Sequence, residues 1–573
     1  MTNPAQHHGW LSGTTLRAAS ATLALAAVLV SAVIAAQVAQ AQSLTTLYSF
    51  CSQGGCTDGT YPNGGLVQAT DGNLYGTTAT GGANGVGTVF KITPSGTLTT
   101  LHSFNGTDGW GPFAGLVQAT NGNFYGTTVK GGANHVCDSA GDGTVFKITP
   151  SGTLTTLHSF NCTDGAYPYA GLVQASNGDF YGTTEAGGAS IILGTVFKIT
   201  PSGTLTTLHS FDGTDGATPM GTLIQGTDGN FYGTTLTNTV FKITPSGTLT
   251  TLHWFAGPPT DGADPYAGVV QASDGNFYGT TTGGGASSSA CPSGCGTVFK
   301  MTPSGTLTTL HSFDSTDGVS PEAALLQATD GDLYGTTFEG GTNANCAVGG
   351  CVGTIFKITP RGTLTTLYNF CPQTGCLDGG FPVAALIQDT NGSLYGTTTL
   401  GGADGDGTVF SLAVGLGPFV ETKPTSGTEG TKIGILGQGF GSSSVVKFGG
   451  TTATTIVRSG TTFITATEPA GALTGAVTVT TGSTTLSSAQ TFKVKPTLTS
   501  FAPPSGPVGT SVSINGTGLT QATRVAFNGT SAIFTVNSDI LITATVPTGA
   551  TTGKIAVTTK GGSATSTTSF TVN

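Results

Sequence analysis

Apolar and polar positions alternate along this chain in short runs, broken by Gly, Pro, Asn and Asp. A period of two belongs to strands with one buried face, not to helices. Residues 115–160 show the unit. A short apolar run, 115–119 (GLVQA), is followed by Asn121-Gly122, a two-residue hairpin signal that calls for positive φ at both positions. Next come 123–128 (NFYGTT), a variable loop opening with Gly131-Gly132, and 143–149 (GTVFKIT). The turn Pro150-Ser151-Gly152 leads to 153–160 (TLTTLHSF). Aromatic and β-branched residues dominate all four runs, as pleated surfaces favour.

The unit repeats. Tyr-Gly-Thr-Thr begins at Tyr75, Tyr125, Tyr181, Tyr232, Tyr278, Tyr334 and Tyr395, at spacings of 46 to 61 residues. Four strands per repeat at this period predict a propeller blade. The TTLxxF run has its first copy at 45–50, ahead of any complete unit, and the last unit stops at Leu412 without its fourth run. An N-terminal strand can therefore complete the final blade and close a ring, which removes exposed sheet edges. A linear β-solenoid is the alternative, but it gains nothing from the permutation. The expectation is an all-β chain: a seven-bladed β-propeller over 43–412 closed by an N-terminal strand.

The recurring GLVQATDGNLYGTT…GG…GTVFKI pattern resembles the GloVer tandem repeat of exported bacterial proteins of the choice-of-anchor type. The likeness covers 43–412 and implies export rather than an activity. Beyond Leu412 the composition shifts to Ser, Thr and Val. Pro424, Gly427, Gly430, Gly437, Gly439, Phe448 and Gly450 match Pro503, Gly506, Gly509, Gly516, Gly518, Phe527 and Gly529 at an offset of 79. This order resembles the IPT/TIG domain, which implies two immunoglobulin-like β-sandwiches, at 418–495 and 496–573.

Composition narrows the classes. Gly numbers 92 of 573 residues and charged residues are 8%, against usual shares of roughly 7% and 25%. A net charge of −10 leaves no basic excess for phosphates, so nucleic acid is not an expected partner. At the N-terminus Arg17, an apolar run to about Ala36 and Ala39-Gln40-Ala41 read as a signal peptide, 1–41, cleaved before Gln42. An uncleaved anchor is the alternative. Either way the rest is exported to the cell surface or beyond, and no other stretch approaches a membrane span.

Ten cysteines in an exported chain predict disulfides. Cys51/Cys56, Cys291/Cys295, Cys346/Cys351 and Cys371/Cys376 form local pairs. Cys137 and Cys162 lie in loops of the same face and can meet. A zinc reading lacks the second half-site; no metal or cofactor is implied.

That face also carries the length variation, and binding residues concentrate on variable loops over a rigid scaffold. Its entering loops hold Tyr61, Trp110, Phe113, Tyr167, Tyr169, Tyr266 and Phe381. Such rings either stack on sugars or anchor a protein partner, or else pack at the blade edge beside a recurrent proline. Asp108 and Asp164, with Asp58, Asp215, Asp261, Asp317 and Asp378, precede glycine and read first as turn residues, second as ion or glycan contacts. Five equivalent histidines, His102, His158, His209, His253 and His311, read as structural. The repeated glutamine from Gln68 to Gln388 reads as a bond to the neighbouring blade or a channel lining. Blade four is irregular, its loop cut to 236–238. No Gly-x-Ser-x-Gly elbow, His-Glu-x-x-His or P-loop occurs. Glu185, Glu322 and Glu339 are the repeat region's only glutamates and present no asymmetric pair. The expected function is binding or adhesion without catalysis, with a polysaccharide or cell-surface protein as partner. The alternative is a secreted lyase or glycosidase with IPT/TIG accessory modules.

Overall fold

The computed structural model describes residues 43–259, 261–342 and 352–573. The leader expected at 1–41 lies outside the described residues. Among the described residues no α-helix is found, and none of their helices is long and apolar enough to cross a membrane.

The described residues of 43–413 form seven four-stranded sheets. The first runs Val67–Gln68, Leu74–Thr78, Thr88–Ile92, Leu98–Ser103, with each strand antiparallel to the next. Two features of the repeat fix this register. The mid-strand glycine of Tyr-Gly-Thr-Thr pairs across the ladder with phenylalanine (Gly76↔Phe90), and a Cβ there would lie 2.6 Å from the ring. Glycine is required because the ring covers that backbone. Two residues on, Thr78 Oγ1 and Thr88 Oγ1 share a buried 2.8 Å hydrogen bond, and all seven sheets repeat it.

Two local expectations are corrected. Of the innermost run only two residues pair, Val117–Gln118 in the second sheet. At the hairpin, Gly122 has positive φ (83°) and Asn121 does not. Asn121 Oδ1 accepts the Asn123 N–H (3.0 Å), and Gly122 N–H donates to Ala119 O (2.9 Å). The side-chain bond gives asparagine a local turn of its own, so glycine alone takes the left-handed position.

The last sheet shows the ring closing. Ser43–Ser49 sits at its edge beside Thr408–Ala413, followed by Leu394–Thr398 and Ile387–Gln388. Hydrogen bonds link consecutive sheets through the repeated glutamine. Backbone N–H groups of Thr70, Thr120, Ser176, Thr227, Ser273 and Thr329 donate to Oε1 of Gln118, Gln174, Gln225, Gln271, Gln327 and Gln388 at 2.8–3.1 Å. Thr390 N–H then donates to Gln68 Oε1 (3.1 Å), from the last sheet back to the first.

The apolar core lies between sheets rather than within them. Tyr75, Val89 and Phe104 of the first pack with Leu116, Phe124, Phe146 and Ile148 of the second. Tyr75 stacks on Phe124 at 4.2 Å, and Phe104 meets Phe146 edge-on at 5.3 Å. At the seam, Phe50 of the N-terminal strand fills the equivalent place against Phe90 at 5.2 Å.

Each C-terminal module faces two sheets across one core. In the first, Glu421–Lys423, Lys432–Leu436, Phe463–Thr467 and Ile456–Ser459 oppose Thr451–Thr452, Val445–Phe448, Val477–Thr481 and Thr484–Ser487. The second repeats this plan around Val512, Ile514, Val525, Phe527 and Val557. The first module contacts the ring at its seam, on the end that carries the hairpin turns. Gln438 Nε2 donates to Thr390 Oγ1 (3.0 Å) and Asp389 Oδ1 (3.5 Å), Lys423 Nζ to Gln68 O (3.4 Å), and Phe419 N–H to Thr390 O (3.1 Å). Asp389 stands where five other repeats have alanine and one, Gly226, has glycine. It is fully buried, and burial pushes its carboxyl up to about 6.

Disulfides join Cys51–Cys56, Cys137–Cys162, Cys291–Cys295 and Cys371–Cys376. The sequence predicts a fifth bridge, Cys346 to Cys351, but that pair is not among the described disulfides. Cys351 lies outside the described residues, and so does Cys346, because both fall within 343–351.

If Phe50 closes the ring, Phe50→Ala should cost about 3–5 kcal/mol, as a core phenylalanine does. Denaturant unfolding of the full chain checks this against Phe104→Ala; a cost near zero at Phe50 alone would show the ring held without its first strand. Replacing Cys137 and Cys162 by Ser opens a 25-residue separation and should cost about 3 kcal/mol in the same assay.

Candidate functional site

The entering loops are built around a proline whose two neighbours vary. Before it stand Tyr61, Gly111, Tyr167, Thr218, Asp264, Ser320 and Phe381, all with φ between 52° and 68°. Positive φ is uncommon for residues other than glycine and persists only where the surroundings impose it. Here backbone bonds impose it. Tyr61 N–H donates to Asp406 O of the neighbouring loop (2.9 Å), and its C=O accepts the Ala79 N–H (3.0 Å). Tyr167 does the same with Asp142 and Glu185 (3.0 Å each). After the proline come Asn63, Phe113, Tyr169, Met220, Tyr266, Glu322 and Val383. A repeated scaffold thus presents two rows of unlike side chains.

Three candidate rings, Tyr61, Tyr167 and Phe381, fall in the first row, and Phe113, Tyr169 and Tyr266 in the second; Trp110 directly precedes Gly111. Tyr61 and Trp110 are the exposed ones, at 36% and 38%. Phe113 and Tyr169 meet at 5.4 Å, whereas Phe381 packs on Phe338 at 5.0 Å. Lys130 Nζ lies 6.0 Å from the Trp110 ring and 2.8 Å from Asp138. The Lys130 ammonium holds the Asp138 carboxyl below its usual range. Tyr167 is raised, first by burial and then by the charge of Asp138. Trp110, Lys130, Asp138 and Tyr167 therefore form a continuous row across the second and third repeats, beside the Cys137–Cys162 bridge. Trp254, at the end of an outer strand, is 47% exposed and was not among the candidates; one serine-to-tryptophan change in the repeated TLTTLHS run is its only sequence signal.

Asp108 and Asp164 are held within their own sheets. Asp108 Oδ2 bonds His102 Nε2 (2.9 Å) and its Oδ1 accepts the Asn105 N–H (2.9 Å); Asp164 does likewise with His158 and Asn161. His209, His253 and His311 pair with Asp215, Asp261 and Asp317, and Tyr48 and Tyr368 donate to Asp58 and Asp378. Seven equivalent pairs serve the loops' shape, in keeping with the structural reading of the histidines. The six-residue spacing between most of these histidines and their aspartates is visible in the sequence, but only the folded loop brings each pair into contact. In the short loop of the fourth repeat, Asn238 Oδ1 accepts the Asp264 N–H (2.6 Å), so an asparagine side chain replaces a longer loop's backbone.

The glutamates, which present no asymmetric pair along the sequence, are gathered by the ring: Glu339 acts on Glu322, and Glu322 and Glu185 both act on Tyr266. Burial holds Glu185 above the usual carboxylate range. Burial, then the charge of Glu339, raises Glu322 to about 7. Tyr266 is pushed up to about 12 by burial, then by Glu322, Tyr169 and Glu185. Third, fifth and sixth repeats contribute to this group, which is why linear spacing hid it. One gathered set of metal-ligand types occurs among the described residues, Cys51, Cys56 and Asp406, but the disulfide occupies both sulfurs.

A family profile described as the Gloeobacter/Verrucomicrobia repeat matches residues 5–238, 138–349 and 236–463. The IPT/TIG domain profile matches 496–572. Among curated proteins none matches the chain. Of solved structures, the chain is similar to the extracellular domain of a Bacteroides thetaiotaomicron protein ascribed to a hybrid two-component system. Identity is 10%, TM-score 0.42, with 91% of this chain and 57% of that one covered. It is similar to a copper-bound fungal alcohol oxidase of the AA5 family at 13% identity and TM-score 0.41, covering 92% and 99%. A gluconolactonase from Xanthomonas campestris gives 13% and 0.32, covering 66% and 92%. Likenesses at this level carry no activity over to the chain.

The raised Glu322 carboxyl predicts a pH dependence. The folded state keeps this proton more tightly than the unfolded chain, whose carboxyl titrates near 4.5. Stability therefore falls as pH rises from about 4.5 to about 7. Glu322→Gln should remove that part of the slope when melting temperatures are compared at pH 5 and pH 8.

Proposed function

The chain belongs to the Gloeobacter/Verrucomicrobia repeat family, and from that premise we propose that it is an exported surface protein that binds a carbohydrate on the loop end of its ring. The observation that carries the reading is the double row of unlike residues around an otherwise repeated proline. Chemistry that varies on a fixed frame is how binding surfaces are built. Within and beside the rows, Tyr61, Trp110 and Tyr167 offer aromatic faces, and Lys130 and Asp138 offer charged hydrogen-bond partners beside two of them. Flat rings with polar neighbours suit the apolar faces and hydroxyls of sugars. A cell-surface protein is the other partner such rings would anchor. The hairpin-turn end already touches the first C-terminal module at the seam, which favours the loop end for a ligand. That module, 418–495, we read as a second IPT/TIG-like domain because its sheets repeat the order of 496–573. Together the two would space the ring from its attachment.

One observation favours catalysis instead. Glu322, held near neutrality beside Tyr266 and close to Glu339, has the proton affinity a general acid needs. A glycosidase or lyase would place a second carboxylate across the same sugar.

The deciding experiment presents the mature chain from Gln42 to a glycan and polysaccharide array, beside a control with Ala at Tyr61, Trp110, Tyr167 and Tyr266. Binding by the native chain and loss of signal in the control is the expected result. Product analysis on any bound glycan, with Glu322→Gln alongside, separates the readings: cleavage that the variant abolishes would make the protein an enzyme. No binding to any glycan would turn the search to protein partners.

A further inference from the structure

The two C-terminal modules share one framework, and comparing equivalent positions isolates an anomaly. In the second, Val546 belongs to the core; its N–H donates to Thr510 O and its C=O accepts the Gly509 N–H, both at 2.9 Å. In the first, Glu468 holds that place. Its N–H donates to Thr431 O (2.9 Å) and its C=O accepts the Gly430 N–H (3.0 Å). Glu468 is 1% exposed, yet neither carboxylate oxygen has a hydrogen-bond partner. Another carboxylate, the exposed Glu429, stands where the second module has Val508. Two valines of one module are two glutamates in the other.

The end of the first module that carries them is the end that meets the second. Ser426–Gly427 pairs in parallel with Lys493–Val494, and Lys495 N–H donates to Gly427 O (2.7 Å). A Cβ on Gly427 would collide with Glu468 Oε2, so the carboxyl rests against this strand. On the other side, a Cβ on Gly518 would lie 3.2 Å from Lys495 O, and Gly518 N–H donates to Asp539 Oδ2 (3.2 Å). Thr474 N–H crosses the junction to Gln521 Oε1 (2.8 Å). Glu468 and Glu429 from one module and Asp539 from the other therefore border one junction. Burial raises the Glu468 carboxyl to about 7, and the charges of Glu429 and Asp539 add to the effect. Among the described residues no side chain hydrogen-bonds either Glu468 carboxylate oxygen.

We propose that this junction is a binding site for a hard divalent cation of the calcium class, with Glu468 as its buried anchor and Glu429 and Asp539 as flanking ligands. A buried carboxylate without a counter-charge is costly, and a cation supplies the charge that no side chain does. Calcium accepts irregular sets of carboxylate, carbonyl and water oxygens, whereas magnesium demands near-octahedral geometry. The three carboxylates are not already drawn within 4.8 Å of one another. The site closes on the ion, with exposed Glu429 swinging in, and the ion then locks the angle between the modules.

The test uses the full chain stripped by chelator at pH 7.5, titrated with CaCl2 and, for comparison, MgCl2. Calorimetric binding and thermal unfolding are read for the native chain, Glu468→Val and Glu429→Gln. Calcium should bind the native chain and raise the melting temperature of the C-terminal modules. Glu468→Val, which restores the sister residue, should lose both effects and melt no lower than the chelated native chain. Glu429→Gln, a surface change that leaves folding intact, should weaken calcium about tenfold. The proposal is overturned if the native chain shows no calcium-dependent binding or shift, or if Glu468→Val keeps them. Should Glu468→Val fail to fold, calcium affinity undiminished in Glu429→Gln overturns it equally.

Discussion

A single side-chain amide, repeated seven times, ties each sheet of the ring to the next. The innermost strands are two residues long, too short for backbone ladders to orient one sheet against its neighbour. Glutamine supplies what is missing. Its Oε1 accepts a backbone N–H from the preceding sheet, and in five repeats, from Gln118 to Gln327, its Nε2 donates to a turn glycine of its own sheet. A partly buried amide is best satisfied at both ends, and here that happens only when two sheets stand at a fixed spacing. The Tyr75–Phe124 and Phe104–Phe146 contacts then bury the apolar surface between them. At the seam the same devices act: Gln68 accepts from Thr390, 322 residues away, and Phe50 packs on Phe90.

The ring's two ends differ for the same reason. Turns at one end are short and repeated, and there the first C-terminal module contacts the seam through Gln438, Lys423 and Phe419. Asp389, buried and carrying an unsatisfied oxygen, replaces an alanine of the repeat at that contact, so the departure from sevenfold order is local to it. At the other end the histidine–aspartate and tyrosine–aspartate pairs keep loop bases uniform. Disulfides stiffen the longer excursions. What varies above those bases is a set of side chains held in left-handed backbone next to proline.

Within the site, the aromatic rows could be read from the sequence because they occupy fixed offsets from a recurrent proline. The disulfide between Cys137 and Cys162 could be read because loops on one end of an antiparallel sheet must emerge together. The Cys346–Cys351 pair rests on sequence spacing alone, since Cys346 and Cys351 are not among the described residues. The aspartates were harder. Asp108 precedes glycine, and the turn chemistry of that pair masked its bond to His102. Hairpin geometry also escaped, since Asn121-Gly122 fits several turns and only the Asn121 side chain selects among them.

By itself the sequence determined the strands, their number per repeat, the closing role of the first strand and the local cysteine pairs at Cys51, Cys291 and Cys371. Each rests on period, turn chemistry or short separation, all of which are local. Tertiary structure decided which unlike residues face one another. Glu185, Tyr266 and Glu322 sit in three repeats, and their mutual influence exists only because the ring brings those repeats round. Glu468 looks unexceptional in a polar stretch; only the fold shows that it occupies the core position of a valine. Burial and encounter are properties of the packed chain, and no linear pattern encodes them.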